Sequence, residues 1–203
     1  REFALFMAIK NNRGNGLWLR WDKAYKDSKS LEVLEFERQN EDEIYFWIFT
    51  QYYFFNQWIR LKEYANNRGV KIIGDLPIYV SEDSSDIWAN PKLFNIDESL
   101  QPITVAGCPP DSFSKSGQLW GNPIYNWSEM EAEDYKWWIE RIRHSFQLYD
   151  VLRIDHFRGF ESYWEVKYGA GDAVHGKWVK GPGIKLFNKI KEELGELNII
   201  AED

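Results

Sequence analysis

Residues 149–159 read YDVLRIDHFRG, and the fold turns on why so much charge sits in a stretch that looks apolar. Val151, Leu152 and Ile154 have the composition of a buried strand, whereas Arg153, Asp155, His156 and Arg158 are polar. Side chains alternate along a strand, so Leu152 and Ile154 share one face while Arg153 and Asp155 share the other. The strand is then buried as far as Ile154 and afterwards delivers its polar residues to a site.

The same unit recurs on both sides. Tyr135–Tyr149 is a helix by the spacing of Trp138, Ile142, Phe146 and Tyr149, and it leads into the Val151–Ile154 strand. Ile184–Leu194, closed by Gly195, leads into Ile199–Ala201, which ends at Glu202. Upstream, Glu41–Asn67 carries Phe54, Phe55, Trp58, Leu61 and Ala65 on one face, and the run Val70–Ile73 ends at Gly74-Asp75. Shorter helices are expected at Phe3–Lys10 and Leu31–Gln39. A recurring order of helix, continuous apolar strand and carboxylate predicts an α/β protein with a parallel sheet covered by helices. Residues 81–127 break the rhythm with Pro91, Pro102, Pro109, Pro110 and Pro123. They read as a long functional excursion between two strands, suited to a lid or cleft wall.

Bulk properties narrow the class. The chain has 203 residues, of which 44% are hydrophobic, enough for one sizeable core. A net charge of −7 argues against nucleic acid as a partner. No apolar run reaches the roughly 20 residues of a membrane span. Cys108 is the single cysteine, so no internal disulfide forms, as in a reducing compartment. The chain opens Arg1-Glu2-Phe3 without Met, shows no secretory signal, and is expected to lack its natural start. Aromatic residues make up 17% of it. Most belong to a core rich in large side chains, and the remainder suit stacking on sugar rings.

If the sheet closes into a barrel, Arg153 and Asp155 project into its mouth, where charge at the ends of parallel strands reads as catalytic. Asp75 is equally readable as a helix cap, and Asp155 among Arg153, His156 and Arg158 as a structural ion-pair cluster. Glu202 taken alone carries little signal. His156 has no second His at ligand spacing, so neither a metal nor another cofactor is expected. Two carboxylates on neighbouring strands suit glycosidic chemistry. One serves as nucleophile, kept ionised by Arg153, and the other as general acid/base, kept protonated by partial burial, about 5–5.5 Å apart.

The segments IIGDLPIYVSEDSSDIWANPKLFNID, AGCPPDSFSKSGQLWGNPIYNW, YDVLRIDHFRGFESYWEV, GKWVKGPG and IIAED together resemble the 4-alpha-glucanotransferases, the amylomaltase or disproportionating-enzyme family (glycoside hydrolase family 77). The resemblance runs over nearly the whole chain. It implies part of a (β/α)8 TIM-type barrel: residues 1–203 as a central fragment carrying strands three to five, with 81–127 as an inserted lid subdomain. It further implies retaining transfer of α-1,4-glucan segments between maltooligosaccharides, with glucose as an acceptor. By that resemblance Asp155 is the nucleophile, Glu202 the general acid/base, and Arg153 the residue that holds Asp155. His156 contacts sugar hydroxyls, and Asp75 is a sugar-contacting or structural acid. Asp111, Phe113, Ser114, Trp120 and Asn122 fold over the glucan, although Ser112 stands where a bulkier residue is expected.

The family's third acid, in a His-Asp-Asn segment, lies beyond Asp203, so the fragment alone is expected to be inactive. A cytoplasmic location is implied, or a plastid in a plant. Two other readings remain open at this level: an α-glucan hydrolase of the same clan, and a non-catalytic glucan-binding module.

Overall fold

The computed structural model describes residues 1–203. In chain order the helices and strands are α1 (Glu2–Asn12), α2 (Lys23–Lys26), α3 (Leu31–Gln39), α4 (Glu41–Asn66), β1 (Ile73–Pro77), α5 (Ser85–Ala89), β2 (Thr104–Cys108), β3 (Gln118–Pro123), α6 (Trp127–Ala132), α7 (Lys136–Leu148), β4 (Val151–Asp155), β5 (Ser162–Lys167), β6 (Lys177–Lys180), α8 (Ile184–Leu194) and β7 (Ile199–Ala201). They form two sheets. One is parallel, in the order β1-β4-β7, and the other antiparallel, in the order β3-β2-β5-β6.

The parallel sheet has the expected alternation. Leu152 and Ile154 are fully buried, packed with Ile139 and Ile142 of α7 and Leu186 and Ile190 of α8 in one core. Arg153 and Asp155 lie on the opposite, partly exposed face. The first strand is displaced from its expected position. It runs Ile73–Pro77 rather than Val70–Ile73, so Asp75 is a mid-strand residue opposite Arg153, and Pro77 stands opposite Asp155. The cause is pairing with a residue distant in the chain. The Asp150 carboxylate accepts the Ile72 N–H at 2.8 Å, and the Asp150 N–H donates to the Ile72 carbonyl, which starts the ladder only after Ile72. Pro77 is tolerated because β1 is an edge strand here.

Helix α4 locks this layer from outside. Lys62 Nζ donates to the carbonyls of Phe146, Gln147 and Tyr149, the last at 2.8 Å, and Trp58 Nε1 donates to the Leu148 carbonyl. A cation is thereby set against the unpaired carbonyls at the end of α7, where the helix dipole is negative.

The excursion is more regular than its prolines suggest. Residues 81–127 hold α5, β2 and β3, and β2 pairs with β5 from the far side of β4, Val105 opposite Val166. The antiparallel sheet is therefore shared between two separate parts of the chain. An aromatic cluster is centred on Tyr125, with the rings of Tyr79, Phe94, Trp127, Trp137 and Trp138 around it. For these rings, core packing is the right reading of the aromatic content.

Candidate active site

Parallel pairing places Asp75, Arg153 and Ile200 in one row across the polar face. Arg153 is the centre of the site. Its Nη1 donates to Asp75 Oδ1 at 2.6 Å, while Nη2 reaches Asp155 Oδ1 at 3.1 Å and Glu202 Oε1 at 3.2 Å. The two carboxylates that were expected to face one linkage thus meet on one nitrogen. A planar guanidinium suits this arrangement because its donors fan out in a fixed fork. The carboxylates reinforce its positive charge, Asp75 most strongly.

Glu202 is fixed from a second side. Its Oε2 accepts the backbone N–H of His156 at 3.2 Å. That bond first, and then Arg153, hold the Glu202 carboxyl below its ordinary range against the opposing effect of burial. This corrects the expectation that partial burial keeps Glu202 protonated. The N–H and the guanidinium outweigh burial, and the carboxylate is the favoured form.

Beside the carboxylates a cleft of about 340 Å³ is lined by Pro77, Ile78, Tyr79, Trp120, Asn122, Asp155 and His156, within the size range of small-molecule sites. Its far wall comes from the antiparallel sheet. Trp120 of β3 meets the His156 ring edge-on at 4.9 Å, and Asn122 Nδ2 donates to the Val80 carbonyl at 2.9 Å. The near wall is pinned from below, where Tyr125 Oη and Arg141 both donate to the Ile78 carbonyl. His156 takes a left-handed conformation, φ 54°, and its Nε2 is buried without a partner. Burial pushes its imidazole below the usual pKa, although Asp203 and Asp155 pull it up. No group of three or more His, Cys, Asp or Glu side chains is arranged to hold a metal ion.

Of the residues singled out from the sequence, Asp75, Arg153, Asp155 and Glu202 come together on the rim, and His156, Trp120 and Asn122 border the cleft. Asp111, Phe113 and Ser114 do not join them. Asp111 Oδ1 caps its own turn by accepting the N–H groups of Phe113 and Ser114 at 2.8 and 2.7 Å, and the Phe113 side chain is 97% exposed at the tip between β2 and β3. Tyr79 escaped the sequence reading. It lines the cleft, and its hydroxyl is buried without a partner. Its only sequence signal was its place two residues beyond the strand end at Pro77.

Fold and site together define a class: an α/β protein that presents paired carboxylates on a shared arginine at the carboxyl ends of parallel strands, beside an aromatic-walled cleft. The chain belongs to the 4-alpha-glucanotransferase family, glycoside hydrolase family 77, whose model matches residues 1–203. It is 56% identical over 202 residues to a 4-alpha-glucanotransferase of Streptococcus pneumoniae, covering 99% of this chain and 40% of the relative. It is 52% identical to that of Clostridium butyricum, covering 100% of this chain and 42% of the relative. Among solved structures, an amylomaltase from Streptococcus agalactiae in complex with acarbose superposes with a TM-score of 0.95 at 48% identity, over 100% of this chain and 41% of that one. The chain thus spans about two fifths of the length of these relatives.

Proposed function

We propose that these residues form the centre of a 4-alpha-glucanotransferase that moves α-1,4-glucan segments between maltooligosaccharides by double displacement. The observation that carries the proposal is the meeting of Asp155 and Glu202 on Arg153 beside the cleft. Asp155 attacks the anomeric carbon of the donor as the glycosidic C–O bond breaks, and the departing oxygen takes the proton of Glu202. A glycosyl ester on Asp155 and an ionised Glu202 remain. An acceptor hydroxyl, from glucose or a longer chain, then attacks the anomeric carbon and gives its proton to Glu202, while the bond from that carbon to the Asp155 oxygen breaks and restores the Asp155 carboxylate.

Bound glucan displaces water from the rim and so favours the protonated form of Glu202, whose carboxylate is otherwise held by His156 and Arg153. His156 borders the sugar's place in the cleft, and Trp120 and Asn122 form the wall against which the sugar lies. In the whole protein these strands are central members of a (β/α)8 barrel, with a further acid contributed from outside the chain. The β2–β3 hairpin, with Asp111, Phe113 and Ser114 at its tip, covers the bound glucan and keeps water from the ester until the acceptor arrives. The names of the plant relatives place those proteins in chloroplasts or amyloplasts. For this chain the cytoplasm, or a plastid in a plant, is the compartment we propose.

Maltotriose supplied to the full-length protein tests the reaction. Glucose together with a ladder of longer oligomers is expected, whereas shorter sugars alone would identify a hydrolase. Asp155→Asn is expected to abolish turnover while glucan binding, measured by calorimetry, persists. Equal loss of both would remove Asp155 from the role of nucleophile.

A further inference from the structure

The turn that follows β4 spends three consecutive backbone N–H groups on the two residues that follow β7. His156 donates to Glu202 Oε2 at 3.2 Å, Phe157 to the Glu202 carbonyl at 2.7 Å, and Arg158 to Asp203 Oδ1 at 2.6 Å. The geometry arises from one residue. With φ 54° and ψ 49°, His156 stands left-handed before the 3-10 turn Phe157–Phe160, and successive N–H groups in such a turn aim to the same side. The turn has little room to relax. A Cβ on Gly159 would lie 2.7 Å from Ile78 Cδ1 and 3.0 Å from His156 Cδ2. The Arg158 guanidinium is engaged elsewhere, 4.4 Å over the Trp178 ring, so Asp203 meets Arg158 through the backbone.

We propose that Asp203 is a positioning residue for glycosyl transfer. By anchoring the Arg158 N–H it holds the turn, and with it the His156 N–H, against Glu202, which fixes the direction in which Glu202 delivers its proton. This inference rests on Glu202 being the acid/base, and its test separates the two. A glucan leaving group needs that proton, whereas fluoride departs without one.

In the full-length protein, Asp203→Ala is expected to lower kcat/KM for maltotriose by about 10- to 100-fold, the range for a misplaced catalytic group. The kcat/KM for α-maltosyl fluoride, read as fluoride release and set by the first step alone, should stay near the parent level. Asp203→Asn keeps an acceptor oxygen for the Arg158 N–H and should recover most of the loss. Turnover of the fluoride also reports that the variant is folded. If Asp203→Ala does not fold, Asp203→Ser is read in its place. Equal loss with both donors, or no loss with either, overturns the proposal. Glu202→Gln is the reference. If it too shows no preference for the fluoride, the assignment of Glu202 fails, and this inference fails with it.

Discussion

At the rim a single guanidinium faces three carboxylates, those of Asp75, Asp155 and Glu202. A lysine could not reproduce that contact set, because an ammonium is a compact charge without the planar fork. Arg153→Lys is therefore expected to reduce kcat/KM on maltotriose by about 10- to 100-fold with near-parental melting, as checked by steady-state kinetics and calorimetry. His156 gives a second prediction. Burial lowers its pKa, so the folded state prefers the neutral ring. Its contribution to stability is full above the unfolded value of about 6.5 and is lost as pH falls through the lower folded value. An NMR titration of His156 should have its midpoint below about 6.5, and a midpoint above that would contradict the burial argument. The rim residues Arg153 and Asp155 were legible in the sequence because strand alternation fixes which side chains share a face, whereas Glu202, just past the end of β7, came through the resemblance. Tyr79 was not, since its place in the cleft depends on Tyr125 and Arg141, from distant segments, holding the carbonyl of Ile78.

Among the elements, β1 shows how far a periodic pattern reaches. The helices Leu31–Gln39 and Ile184–Leu194 begin and end as the sequence predicts, because capping and amphipathic spacing are local signals. The start of β1 depends instead on Asp150, a residue 78 positions away that claims the Ile72 N–H. A second contact fixes the same strand. Gly74 faces the ring of Tyr149 so closely that an added Cβ would overlap it. Gly74→Ala is expected to destabilise the full-length protein by about 1–3 kcal/mol, the cost of overpacking, read as a lower denaturant midpoint. The antiparallel strands were hidden for a related reason. β2 reads TVAGC and β3 QLWGNP. Both lack strict alternation, both contain Gly, and β3 ends in Pro, so each becomes a strand only against its partner. Asp111, Phe113 and Ser114 were drawn to the site by resemblance alone, and here Asp111 caps the turn that carries all three.

For the molecule as a whole, the most telling surface is α4. Along its 26 residues only Ile44 is buried, while Phe46, Phe49, Tyr53 and Phe54 are each more than half exposed. Apolar area of this kind is a liability in isolation, and the outer edges of β1 and β7 are unpaired. Prepared alone, residues 1–203 should bind a hydrophobic dye, elute ahead of a monomer in gel filtration, and produce no oligomer ladder from maltotriose. A monodisperse, dye-silent, active fragment would contradict this.

The pairing of β2 with β5 has a consequence for biosynthesis. Thr104 and Glu165, bonded across these strands, are 61 residues apart in the chain. A ribosome adding about 5–20 residues per second needs roughly 3–12 s to cover that distance. Over that interval the cleft's far wall waits, half made, for the strand that anchors it, and a chaperone would find it there.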